Sequence, residues 1–139
     1  MSTRRYLIAL FAALALVAAT LLVWPALRRA MMSRNCLANM KSMGYEATVW
    51  AKRNGGTAPT NWLCFSDELI SPKMMLCPAD SGTSPALNWT SFGPQNTSYE
   101  ILSAGGRWGD ANRVFFRCRI HRYVCLADGS VLRQAPPPQ

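Results

Sequence analysis

Acidic residues and histidine are scarce in this chain, which has 7 Asp and Glu and 1 His against 15 Lys and Arg in 139 residues. No carboxylate pair lies at helical spacing, and neither a Gly-x-Ser-x-Gly element nor a phosphate-cradling glycine loop is present. A serine or cysteine nucleophile cannot be joined to the one histidine from sequence alone. The sequence therefore predicts a protein that is not an enzyme, with no catalytic residue and no cofactor.

Charge is also missing from one long segment. Residues 6–27, YLIALFAALALVAATLLVWPAL, run for 22 residues without a charged side chain. As a helix they span about 33 Å, enough for a hydrocarbon core of about 30 Å. The run exceeds the apolar region of a secretory signal, about 7 to 15 residues, and no small-residue cleavage site follows it. We expect a transmembrane helix at 6–27 that stays in the mature protein, after a cytoplasmic N-terminus at 1–5.

The net charge of +8 is unevenly distributed. Residues 1–53 carry eight Lys and Arg and one Glu, whereas residues 54–139 carry seven and six. The excess of positive charge lies beside the apolar run, where Lys and Arg contact anionic lipid head groups. It is therefore only weak evidence for nucleic-acid binding. Four basic residues between 28 and 41 outnumber the two before the run, which alone favours a cytoplasmic C-terminal part. Five cysteines in about a hundred residues favour an oxidising compartment instead, and we give them more weight.

A helical pattern continues beyond the apolar run, through residues 28–54. Apolar residues recur at three- and four-residue steps, as on one face of an amphipathic helix: Leu37, Met40, Met43 or Gly44, Ala47, and Trp50 or Ala51. The Asn-Gly-Gly at 54–56 is a stop signal. We expect one helix from about residue 4 to about residue 54, bent at Pro25.

Residues 55–134 predict a small globular head. We expect Ser66 to cap a short helix over DELI that ends at Pro72, a strand over KMMLC, a long loop at 79–96, and a strand over TSYEIL. Two further strands follow RVFFRCRI and are joined by a turn at Asp128-Gly129. The tail at 135–139 is rich in proline and cannot join a sheet. The predicted fold class is α+β, a long N-terminal helix packed on a small antiparallel sheet.

The segment RVFFRCRI alternates with a period of two. This predicts an inward face of Val114, Phe116, Cys118 and Ile120 and an outward face of Arg113, Phe115, Arg117 and Arg119. The outward face could contact nucleic-acid phosphates while the Phe115 ring stacks on a base. A solvated face, or ion pairs between subunits, is the simpler explanation, and we favour it.

Several short elements together resemble the type IV pilin-like proteins. They are VWPAL at 23–27, CLANMKSMG at 36–44, CPAD at 77–80, CRIH at 118–121 and LADGSV at 126–131. Their order and spacing are most similar to the major-pseudopilin-like proteins of bacterial type II secretion found in planctomycete and verrucomicrobial genomes. Members of that group usually carry a cleavage motif with a glycine and then a glutamate. Here Ile8 stands at the glutamate position, and no glycine precedes Gly44.

The resemblance implies a pilin-like fold and a structural subunit of a type II secretion pseudopilus or type IV pilus-like assembly. Its implied partners are other pilin-like subunits, an inner-membrane assembly platform and the lipid bilayer. The implied location is the bacterial inner membrane, single-pass, with the head in the periplasm. Without the cleavage motif, we expect an uncleaved anchored relative or a minor component. Two alternatives stay open: a nucleic-acid-binding minor pilin of a DNA-uptake system, and a small periplasmic binding module stabilised by disulfides or zinc.

The resemblance also suggests a disulfide, because Cys77 and Cys118 stand in the elements of the type CPxD and CPxH. Cys64 and Cys125 are then candidates for a second pair. The alternative is zinc, since Cys118, His121 and Cys125 lie within eight residues and Cys77 could complete a tetrahedral set. That site requires a turn at residues 120–122, because His121 would otherwise point away from Cys118. Cys36 has no evident partner, and without an acidic cluster no calcium site is expected.

Overall fold

The computed structural model describes residues 3–69 and 71–134. One long helix, α1 (Thr3–Arg53), is followed by three short 3-10 helices and four strands. The chain forms two compact units, one ending at Met31 and the other beginning at Met32. The α+β layout expected from the sequence is confirmed. The proline-rich tail and the last residue of DELI lie outside the described residues.

In the first unit, helix α1 exposes its apolar side chains on every side. Leu22 is 79% exposed, Leu16 70% and Phe11 69%. Among the described residues, helix α1 is the one helix that is both long enough and apolar enough to cross a membrane. Helix α1 continues past Pro25, as the helical pattern of residues 28–54 predicts.

In the second unit, helix α1 buries one stripe. Its fully buried side chains recur at steps of three and four: Cys36, Met40, Met43, Ala47 and Ala51. Leu37, expected on this stripe, is only partly buried. The Asn-Gly-Gly stop is confirmed, because Gly55 takes a φ of 67° and the Gly56 N–H donates to the Ala51 carbonyl at 2.9 Å.

The connection from helix to sheet differs from the prediction. Ser66 does not cap a helix over DELI. It follows the 3-10 helix Trp62–Phe65, which is capped by the Asn61 side chain. Pro72 does not end a helix but begins the 3-10 helix Pro72–Met75, so most of the expected KMMLC strand is helical. Ser71 caps this second helix by accepting from the Lys73 N–H, and proline suits the first turn because it needs no N–H there.

The sheet is an antiparallel meander of four strands in the order β1-β2-β3-β4. They are β1 (Tyr99–Ile101), β2 (Asp110–Cys118), β3 (Tyr123–Ala127) and β4 (Val131–Arg133). The turn at Asp128-Gly129 is confirmed: Gly129 has a φ of 88°, and the Asp128 carboxylate accepts from the Ser130 N–H at 2.8 Å. The 3-10 helix Pro94–Asn96 closes the loop that precedes β1.

Strand β2 does not keep the alternation predicted for it. Its register against β3 shifts twice, between Asp110 and Val114 and between Val114 and Phe116. Such a bulge places two successive residues on the same side. Phe115 and Phe116 are accordingly both fully buried, and the expectation that Phe115 faces outward is wrong. Ile120, expected inside, is 45% exposed because β2 ends at Cys118.

Aromatic rings pack edge to face in the core of the second unit. Phe116 contacts Trp62 at a ring-centroid distance of 5.2 Å, and Phe115 contacts Trp108 at 5.1 Å. These rings lie beside the buried stripe of helix α1 and the methionines Met40, Met43 and Met75. The core therefore joins the end of the helix to the sheet. It also contains four of the five cysteines, and three of these lie near one histidine.

Candidate functional site

Four side chains from three distant parts of the sequence converge beside the core. The sulfur atoms of Cys36, Cys77 and Cys118 and a ring nitrogen of His121 all lie within 4.8 Å of one another. Cys36 Sγ is 3.6 Å from Cys118 Sγ, and Cys77 Sγ is 3.1 Å from His121 Nδ1. All three cysteines are at least 95% buried, since their exposed fractions are 0%, 1% and 5%. We call these four residues the Cys3His cluster.

Cys118 and His121 are placed by the end of β2. The strand ends at Cys118, and the chain then bends, so that the N–H groups of Ile120 and His121 donate to Cys118 Sγ at 3.4 and 3.3 Å. The Tyr123 N–H donates to the His121 carbonyl at 2.6 Å and starts the next strand. This is the turn that a metal site was expected to require, and it brings the imidazole back to the side of the sulfur.

Cys77 is placed by a hydrogen-bonded loop. Its N–H donates to Ser98 Oγ at 2.9 Å, and Ser98 Oγ donates to Asp80 Oδ2 at 2.7 Å. Asp80 Oδ1 accepts from the N–H groups of Gly82 and Thr83 at 3.0 and 3.1 Å. The Asp of the CPAD element therefore has a local role, which is to fix the loop that presents Cys77.

Cys36 belongs to the buried stripe of helix α1. Its sulfur lies 3.6 Å from the Tyr99 hydroxyl and 3.6 Å from Cys118 Sγ. The sequence prediction missed this residue because the stripe was begun at Leu37. The step of four from Met40 back to Cys36, and of seven from Met43, is the signal that could have found it.

The thiols of the cluster differ in acidity. Hydrogen bonds from the Cys36 thiol and from the N–H groups of His121 and Ile120 lower the pKa of Cys118 to about 5, against the effect of burial. The hydrogen bond to Cys118 and burial both raise the pKa of Cys36. Burial raises the pKa of Cys77. One thiolate is thus supported by local donors, whereas three thiolates so close together need a cation.

All five cysteines lie in the described part of the chain, and none of them forms a disulfide there. Cys77 and Cys118 do lie close together, as the resemblance suggested. Cys64 instead contacts Thr60 Oγ1 at 3.4 Å in the first 3-10 helix. Cys125 is buried under helix α1, where burial and then the charge of Asp128 raise the pKa of its thiol to about 12.

Of the four residues named as zinc candidates from the sequence, the structure brings three together and leaves one apart. Cys77, Cys118 and His121 converge, but Cys125 is absent from the group and Cys36 takes its place. The positions of Cys125 and His121 along the β2–β3 hairpin explain the difference. Cys125 lies in the middle of β3 opposite Phe116, whereas His121 lies in the bend between β2 and β3.

Of the predicted nucleic-acid contacts, Arg113 and Arg117 lie in β2 and Arg119 follows it, and the aromatic ring expected among them is not exposed. Phe115 is fully buried against Trp108 and cannot stack on a base. Arg117 forms an ion pair with Glu100 at 2.9 Å, and Arg113 is partly buried beside Gly106. Arg119 is exposed. The residues predicted to contact nucleic acid thus do not form one exposed surface, and no observation on them favours that function.

The chain was compared with known proteins in three ways, and no protein-family model, curated protein or solved structure matches it.

Proposed function

We propose that this protein is a single-pass, pilin-like structural subunit of the bacterial inner membrane, whose helix α1 both anchors the head and associates with the helices of related subunits. One observation carries the proposal: a single helix, Thr3–Arg53, contains an apolar span without buried faces and then the stripe that forms the core of the head.

The exposed span supports an assembly role as well as an anchor. A helix that is apolar around its whole circumference fits lipid, and it fits a bundle of similar helices equally well. The same span can leave the bilayer for a filament core without exposing apolar surface to water. Alanines at 12, 13, 15, 18 and 19 allow helices to approach closely.

The head agrees with the resemblance in its layout. A small antiparallel sheet packs on the C-terminal part of the long helix, and the CPAD, CRIH and LADGSV elements lie in its loops and hairpin. Ile8 in place of a glutamate removes the carboxylate that pairs with a neighbouring subunit in such assemblies. A minor or uncleaved subunit fits this sequence better than a major one.

The orientation of the head is part of the proposal. Three of the five cysteines are gathered in one cluster with a histidine. Their number therefore no longer favours an oxidising compartment, because such sets also occur in reducing ones. The charges beside the span favour the opposite orientation. We place the head in the periplasm on the resemblance, and a phosphatase fused after Arg133 tests this directly, because it is active only outside the cytoplasm.

Site-specific photocrosslinking in native membranes tests the assembly role. A photoreactive residue at Leu16, in the span, should give crosslinked products with further copies of this chain or with other chains that carry an apolar N-terminal helix. The same residue at Leu87, which is 96% exposed in the head, is the matched control for random collisions. A chain crosslinked only to lipid from Leu16, or a phosphatase fusion active only when placed before residue 6, would contradict the proposal.

A further inference from the structure

We propose that the Cys3His cluster is a structural zinc site, in which Sγ of Cys36, Cys77 and Cys118 and Nδ1 of His121 bind one Zn²⁺ in a tetrahedron. This inference is independent of the pilin-like role, since it uses only side chains of the second unit.

The distances suit zinc. With Zn–S bonds of about 2.3 Å, two sulfurs of a tetrahedron lie about 3.8 Å apart, and with Zn–N near 2.0–2.1 Å a sulfur and a nitrogen lie about 3.5 Å apart. Cys36 and Cys118 are 3.6 Å apart at sulfur, and Cys77 Sγ is 3.1 Å from His121 Nδ1. A disulfide needs about 2.05 Å between sulfurs, far shorter than the first distance.

The donor set identifies the metal class. Three thiolates and one imidazole in a tetrahedral arrangement are typical of zinc, and four protein ligands leave no open position for a substrate or water. The three sulfurs are buried, which also excludes solvent. The site is therefore structural and not catalytic.

The surroundings supply the hydrogen bonds that thiolate ligands need. The N–H groups of Ile120 and His121 and the Tyr99 hydroxyl all lie within 3.6 Å of a ligand sulfur. Donors of this kind offset the excess negative charge of three thiolates around one divalent ion, and they fix the sulfur positions. The Ser98 and Asp80 chain then fixes the backbone of Cys77.

The ligands come from four separate segments of the fold. They are helix α1, the loop after Pro72–Met75, the end of β2 and the bend before β3. One ion there links the helix to the Cys77 loop and to the bend between β2 and β3. In a head with a small core such a link supplies much of the stability, and metal binding is coupled to folding.

Metal analysis of the full-length chain, purified in detergent without added chelator, tests the site. We expect one zinc per chain by elemental analysis, and an X-ray absorption spectrum that fits three sulfurs at about 2.3 Å and one nitrogen at about 2.0–2.1 Å. Exchange with Co²⁺ should give the intense visible bands and the sulfur-to-metal charge transfer of a tetrahedral thiolate site.

Matched cysteine variants separate this site from the alternatives. Cys36→Ser should lose zinc to a chelator that leaves the wild type loaded, whereas Cys64→Ser and Cys125→Ser should keep one zinc per chain. Because Cys36→Ser could fail to fold, the wild-type absorption spectrum and the Cys125→Ser result decide the question without it.

Three outcomes would overturn the proposal. The first is a wild-type chain that binds neither zinc nor Co²⁺ while all five thiols react as free thiols. The second is an intact mass lower by two hydrogens, with a disulfide among Cys36, Cys77 and Cys118. The third is loss of zinc in Cys125→Ser together with retention of zinc in Cys36→Ser.

Discussion

At the scale of single residues, the Tyr99 hydroxyl lies in the core 3.6 Å from the Cys36 sulfur. Burial, and then the neighbouring thiols, raise the pKa of Tyr99, so the hydroxyl stays protonated and can donate to a thiolate. Tyr99→Phe removes this donor and keeps the ring. We expect zinc affinity to fall about 10- to 100-fold, the usual effect of losing an outer-shell partner, measured by competition with a chromogenic chelator.

Tyr45→Phe is the control for this prediction, since Tyr45 is 66% exposed on helix α1. It should bind zinc like the wild type. Equal affinities for Tyr99→Phe and the wild type would show that the hydroxyl does not support the ligand.

Asp80 gives a prediction about pH. The Ser98 hydroxyl, and then the N–H groups of Thr83 and Gly82, lower the pKa of Asp80 below its usual value of 3.8. The pKa of Asp80 is lower in the folded state than in the unfolded chain. Its carboxylate therefore stabilises the fold at pH values above the pKa that it has in the unfolded chain. This contribution is lost as the pH falls through the folded pKa. Asp80→Asn should therefore be less stable than the wild type at pH 7, by a margin that shrinks below about pH 4.

Denaturant unfolding of both proteins in the same buffers from pH 7 to pH 3 measures this margin, and zinc content is measured in each buffer because Asp80 fixes the loop that presents Cys77. Asp67→Asn changes an exposed carboxylate and should show no comparable margin. A margin that is the same at every pH would mean that the charge of Asp80 is not what stabilises the loop.

At the scale of secondary-structure elements, helix α1 meets the β3–β4 hairpin at two glycines. A Cβ on Gly44 would lie 2.8 Å from the Gly129 carbonyl oxygen and 2.9 Å from the Cys125 sulfur. Alanine gains about 1 kcal/mol in helix propensity over glycine, but forced contacts of this kind cost about 1–3 kcal/mol, and the hairpin backbone cannot yield as a side chain could. We expect Gly44→Ala to lower the free energy of unfolding by up to about 2 kcal/mol in denaturant titrations.

Ser42→Ala, on the exposed side of the same helix, is the matched control and should be neutral or slightly stabilising. If Gly44→Ala were stabilised to the same extent as Ser42→Ala, the helix and the hairpin would not be in such close contact.

Elements with a strong local signal could be predicted from the sequence. The helix, β1 and the last hairpin follow from hydrophobic periodicity and from the glycines at 55, 56 and 129, which take positive φ. The 3-10 helices could not, because Ser66 and Ser71 are both plausible caps and only packing of Trp62 and Phe65 selects between arrangements. Phe115 was misplaced because a bulge is decided by pairing with β3, which is a tertiary effect.

The candidate site shows the same division between local and tertiary signals. Cys118 and His121 are neighbours in sequence, so their turn could be anticipated. Cys36 and Cys77 each lie about forty residues from the next ligand. Packing of helix α1 in the core brings Cys36 to the site, and the hydrogen bond of its loop to Ser98 holds Cys77 there. Cys125 was chosen for its proximity in sequence, but its side chain lies under the helix beside Gly44.

At the scale of the whole molecule, the apolar span and the proposed metal site belong to different units of the chain. The apolar span ends before Met31, and all four ligands follow Met32. Changes in one unit should therefore leave the function of the other intact. This separation allows the membrane role to be tested on a protein whose head is still folded and loaded with metal.

Two charges in the middle of the span provide that test. The 11 Leu, Ile, Val and Phe of residues 6–27 favour insertion by about 3–7 kcal/mol in total, and each arginine at the centre costs about 2.5–3.5 kcal/mol. The double change Leu14→Arg with Val17→Arg should thus move most of the chain from the carbonate-resistant membrane fraction to the supernatant. Zinc content per chain should stay unchanged. Leu87→Arg with Leu132→Arg, at exposed positions of the head, should remain in the membrane. Retention of both variants in the membrane would show that residues 6–27 are not what anchors the protein.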